Sequence, residues 1–192
     1  MAATVFVLAL LTKPDYALLI GVMISLMFFL WKTMHPRVVR VTKDPERDFF
    51  VNADRYEKPC CPQIMQLRPE HCMYFANAEY TREHILELVD GQNSSVKFLL
   101  LDFEAVGFID ITGIDELCVL HDELKARGVK LALMRVHLPV KELFKSSHII
   151  SKMKSFHLIE NKRDAIAFVF QHTDHGYCKN VCPHELFLSA RP

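Results

Sequence analysis

The chain has 192 residues, 51% of them apolar, with 23 basic and 23 acidic side chains and a formal charge of zero. That length holds one ordinary domain plus an appendage. A neutral chain without a Lys/Arg tract lacks the concentrated basic surface of a nucleic-acid binder, so that partner class is excluded, and no repeat of solenoid or propeller length is present.

From Met1 to Trp31 the only formal charges are Lys13 and Asp15, which flank Pro14. Two apolar runs fill this head, residues 4–11 and 16–31. A secretory leader fits poorly, because no charge precedes the first run and the second ends in bulky Phe28, Phe29, Leu30 and Trp31 instead of a small-residue cleavage site. Lys32, Arg37 and Arg40 follow. They mark a cytoplasmic flank, with Trp31 suited to the interface. The second run would cover about 24 Å as a helix, against about 30 Å of hydrocarbon. Residues 1–31 therefore read as membrane segments belonging to a larger bundle, the end of one and a short final one.

Residues 32–61 contain Pro36, Pro45 and Pro59 among mixed charges and read as a linker, with a short extended piece at Val38 to Val41. From Pro62 the pattern becomes regular. Residues 63–67 alternate as a strand, and a second strand is expected at Met73, Tyr74 and Phe75 after the Arg68-Pro69-Glu70 turn. Asn77 is placed to cap a helix over 78–89, which Asp90-Gly91 stops.

"VKFLLLDF", residues 96–103, is a near-continuous apolar run of the kind buried on both faces. A helix follows with Ile114, Leu117, Cys118, His121 and Leu124 at helical spacing, ended by Arg127-Gly128. Residues 129–136 form another buried-type strand, and Pro139 opens a helix. A short strand is expected at 156–159, then a helix over 163–171 capped by Asn161, with Asp164 near its N-terminus. Strands alternating with helices define an α/β domain over residues 62–171.

The cysteines do not form a disulfide framework in a cytoplasmic setting. Cys118 belongs to a core face, and Cys60, Cys61 and Cys72 are small thiols beside strands. The tail, residues 172–192, gathers His172, His175, Cys178, Cys182 and His184. His175, Cys178, Cys182 and His184 are weak zinc candidates, because Cys-x3-Cys with scattered His is not a strong finger spacing. The expectation is no metal and no cofactor, with Phe187 docking the tail on the domain.

The stretch "FIDITGIDEL", residues 108–117, joins strand to helix. Asp110 or Thr112 can accept from the first helical N–H groups, and Thr112-x-x-Asp115 approximates a capping box. The same geometry is anion-ready: Asp110, Thr112 and Gly113 would form an anion- or nucleotide-binding loop at a helix start, Gly113 letting the backbone approach a ligand. No Ser/His/Asp arrangement and no Walker-type loop is recognisable, so enzyme activity is not expected.

Three phrases carry a resemblance: "LLIGVMISLMFFLWKTMHPRV", "YFANAEY" at 74–80, and "FIDITGIDEL". In this order they closely resemble the C-terminal end of sulfate permease (SulP) family anion transporters, the last membrane helix followed by a cytoplasmic STAS domain. The resemblance spans about residues 5–187. It implies a STAS-type mixed β-sheet with helices mainly on one side, preceded by a short transmembrane segment. It also implies a regulatory or assembly module at the inner (plasma) membrane of a bacterial-type transporter. The partners would be the rest of the transporter, other subunits or a cytoplasmic regulatory protein. A complete transporter has many more membrane helices, so the chain is expected to be a fragment or one part of a split transporter. The alternative is a stand-alone switch like the anti-sigma-factor antagonists, in which the hydroxyl before this glycine, here Thr112, is phosphorylated.

Overall fold

The computed structural model describes residue 6 and residues 14–44, 50–92, 96–147 and 157–180. Two compact units divide at Pro36 and Arg37.

In the first unit, helix α1 (Pro14–Met34) is 21 residues long. Pro14 pre-sets the first turn and Asp15 suits its positive end. The 16-residue run expected to fall short is the centre of this longer helix, which measures about 31 Å at 1.5 Å per residue. It is long and apolar enough to cross a membrane. Thr33 and His35 bond back to the carbonyls of Phe29 and Trp31, and Trp31 stacks on His35. The expected run at 4–11 lies outside the described residues apart from Phe6.

The second unit is built on a sheet of β1 (Val38–Lys43), β2 (Phe50–Asn52), β3 (Ile64–Pro69), β4 (Phe98–Asp102), β5 (Lys130–Met134) and β6 (His157–Ile159). The spatial order is β2-β1-β3-β4-β5-β6. β1 pairs antiparallel with β2 and β3, while β3 to β6 are mutually parallel. The stretch expected as linker therefore supplies two strands. The reason lies outside its local sequence: Val38 and Val39 are buried by pairing with Pro69 and Arg68 of β3.

Helices α2 (Ala78–Gly91), α3 (Ile111–Ala126), α4 (Leu138–Ser146), α5 (Lys162–Gln171) and α6 (His175–Asn180) complete the described fold. Side chains alternate between faces along a strand. Leu99, Leu101, Leu131 and Leu133 pack on one face with Ile85, Leu117 and Phe144 of α2, α3 and α4. Phe98, Leu100, Ala132 and Met134 pack on the other with Ile166 and Phe170 of α5. Among the described residues, three helices thus cover one face and α5 the other. All five residues of β4 are buried, as a two-sided central strand demands. Gly128 at φ 75° ends α3, and Val129 N–H returns to Leu124 C=O.

Two local expectations fail. Met73 to Phe75 is no strand but a single parallel bridge, Met73 to Ile109. Side chains have taken the backbone groups a ladder would use: Asn77 accepts from Tyr74 N–H, and Asp110 from Phe75 N–H. Nor do the two asparagines cap their helices. The Asn77 amide ties down the preceding turn by also donating to Cys72 C=O, and the Asn161 amide donates to Asp164.

Candidate functional site

The site grows from the end of β4. Its chain turns through residues 103–109, forms the Met73–Ile109 bridge and enters α3 at Asp110. Met73 N–H donates to Phe108 C=O and Asp110 N–H to Met73 C=O, both at 3.2 Å. Buried Met73 and Ile109 sit beneath this stitch.

Asp110 is the N-cap, with extended backbone (φ −103°, ψ −176°). Its Oδ1 accepts from Gly113 N–H at 2.7 Å, and its Oδ2 accepts from Phe75 N–H at 2.9 Å. One carboxylate therefore satisfies a helix-start amide and clamps the 73–77 turn. A negative group at this end is favoured by the helix dipole. Asp110 itself holds the position an anion would take against Gly113.

Thr112 lies inside the first turn and is exposed, so the expected Thr112–Asp115 capping box is not formed. Gly113 is buried, and a Cβ there would come 2.6 Å from Ile109 Cγ1 and 2.8 Å from Met73 C=O. Close packing of the helix start on the bridge requires glycine here.

Pattern reading missed the surroundings of Thr112. Phe75, Phe108 and Ile111 are large, apolar and exposed around this helix start. The signal was present: Ile111 precedes the buried periodic positions 114, 117, 120 and 124, and Phe108 alternates with buried Ile109. Behind this rim, α2 and α3 are joined by Arg82, which bonds Glu116 at 2.7 Å and Glu123 at 2.9 Å. Burial alone would lower the Arg82 guanidinium, but these carboxylates hold it above its ordinary value.

Of the tail candidates, His175 opens α6 and Cys178 lies within it, while Cys182, His184 and Phe187 lie outside the described residues. No group of three metal-ligating side chains occurs among the described residues. The tail's start is fixed to the domain: Gln63 accepts from Asp174 N–H and donates to Asp174 C=O.

Sheet order, helix placement and a carboxylate-capped loop define an α/β domain carried in one chain with a membrane-length helix. The STAS domain family model matches residues 55–165, and the chain belongs to that family. It is 28% identical over 155 residues to Probable sulfate transporter 3.5 of Arabidopsis thaliana, covering 79% of this chain and 24% of the relative. It is also 28% identical to a probable sulfate transporter of Mycobacterium tuberculosis, over 74% of this chain and 26% of that protein. The chain thus spans about a quarter of the length of these relatives. Its fold is that of part of the murine Solute Carrier 26 family member A9 anion transporter, with a TM-score of 0.71, 22% identity, and coverage of 88% of this chain and 28% of the other.

Proposed function

We propose that the chain is the C-terminal part of a sulfate permease-type anion transporter. In this reading α1 is a membrane segment and the STAS domain is a cytoplasmic regulatory or assembly module at the plasma (inner) membrane. The observation that carries this reading is the continuity, in one chain, of a membrane-length apolar helix and a STAS domain that is similar to part of sulfate transporters. Permeation belongs to a membrane core beyond these residues, and the partners are that core and a cytoplasmic regulatory protein. The exposed rim of Phe75, Phe108 and Ile111 around Thr112 is the surface such a partner would cover.

Sulfate uptake into liposomes tests the reading. The chain alone is expected to give none, and the chain joined to a sulfate-transporter core lacking its own STAS portion is expected to restore it. Uptake by the chain alone, or no restoration in the joined protein, would overturn the assignment.

A second reading, a stand-alone switch phosphorylated at Thr112, draws on the exposure of that hydroxyl. A phosphate there would add nearly two negative charges beside Asp110 and Asp115, repelling a bound partner. The apolar helix α1 argues for the transporter reading, since a stand-alone switch needs no such helix.

A further inference from the structure

The face of the sheet covered by α5 contains a feature that the transporter reading does not use. Gln66 of β3 lies on this face, between Ile64 and Arg68, with Leu100 of β4 as its pairing partner. It is only 4% exposed, yet among the described residues neither its Nε2 nor its Oε1 has a hydrogen-bond partner. Leaving both ends of a buried amide unsatisfied is costly, and such groups need a partner.

Residues from both edges of the sheet meet on this face. Phe50 comes from edge strand β2 and packs on the apolar cluster of Ile64, Leu100 and Met134. Lys162 comes from the start of α5, just after the opposite edge strand β6, and its Nζ lies 3.6 Å from the centre of the Phe50 ring. This contact lies on the same face as Gln66, whose strand neighbour Ile64 and pairing partner Leu100 belong to the cluster against which Phe50 packs. Among the described residues no carboxylate lies within 4 Å of Lys162.

Its neighbours are committed elsewhere. Asp102, fully buried, takes both Arg135 hydrogen bonds, one of 2.9 Å at Nε, and also accepts from Glu104 N–H. Glu104 meets Arg135 at 2.5 Å and Arg68 only at 3.4 Å. Three cations, Arg68, Arg135 and Lys162, therefore face two carboxylates, Asp102 and Glu104. Burial lowers the Lys162 amine to about 8; Asp102 and Glu104 oppose the shift, while Arg135 and Arg68 add to it.

We propose that Gln66, Arg68 and Lys162 form a site for a small hydrogen-bearing oxyanion, of the hydrogen phosphate or bicarbonate type, enclosed by the Lys162–Phe50 contact. Gln66 Nε2 donates to an anion oxygen and Oε1 accepts from its O–H, so both orphaned atoms are satisfied together. Lys162 supplies the unmatched positive charge and Arg68 a second, weakly engaged donor. Sulfate has no proton at neutral pH and leaves Gln66 Oε1 unpaired, so it binds more weakly. The site stands independently of the transporter reading.

Calorimetric titration of the full chain in detergent micelles at pH 7 with inorganic phosphate, bicarbonate or sulfate tests this. Saturable binding of phosphate or bicarbonate is expected, with sulfate weaker by about tenfold or more. Gln66→Leu and Lys162→Met should each weaken the bound anion by a similar factor, with circular dichroism confirming the fold; if the leucine variant does not fold, the methionine variant decides. No saturable binding of any anion, sulfate as tight as the protonated anions, or unchanged affinity in the folded variants would overturn the site and leave Gln66 with a buried water only.

Discussion

Helices α1 and α3 are both rich in apolar residues, but they spend them differently. α3 points Ile114, Leu117, Leu120 and Leu124 at one face and buries all four. α1 leaves Leu18, Leu19, Ile20, Met27 and Phe28 exposed around its circumference. A helix with one apolar stripe is matched to a protein core, whereas one that is apolar all round needs lipid or other helices as its solvent. The difference between the two helices is thus one of pattern, and it shows that the two units of this chain are stabilised by different surroundings.

The sharpest way to break the comparison is to shorten one leucine in each helix. Leu117→Ala should destabilise the domain by about 2–5 kcal/mol, because it removes packing from an enclosed core site. Leu26→Ala, on an exposed face of α1, should leave the domain's urea midpoint unchanged. Equal losses would mean that α1 is part of the same cooperative unit. Next in size is Asp110→Ala, which removes the cap and leaves Phe75 N–H without its acceptor; about 1–2 kcal/mol is expected in the same urea measurement. Smallest is Thr112→Ala, expected within about 0.5 kcal/mol of the parent because the hydroxyl is exposed and does not cap. A Thr112 loss as large as that of Asp110 would return the capping role to the threonine.

How legible these features were depends on how local their causes are. β4, β5, α3 and the Gly128 stop could be read directly, since continuous apolar runs, helical spacing and a glycine terminator are properties of short segments. β1 was legible only as a short extended piece at Val38 to Val41, and β2 was hidden among prolines and charges; β1 pairs with the edge of β3, and β2 in turn with β1. The loop at Asp110 was recognisable as a helix start, but the choice between Asp110 and Thr112 as cap was not. That choice is set by Phe75, 35 residues away in sequence, whose N–H takes the second carboxylate oxygen. The packing role of Gly113 was not legible: its missing side chain makes room for Ile109 and the Met73 carbonyl. Gln66 drew no notice at all, because a polar residue in an alternating strand is ordinary until its face is known to be buried.

The central claim, a STAS domain held to a membrane by its own apolar helix, is tested most directly by mixing the full chain with liposomes and floating them through a density gradient. The chain is predicted to rise with the vesicles and to stay with them through a high-salt, alkaline wash. Recovery of the full chain as a dispersed monomer in the detergent-free supernatant would contradict the account.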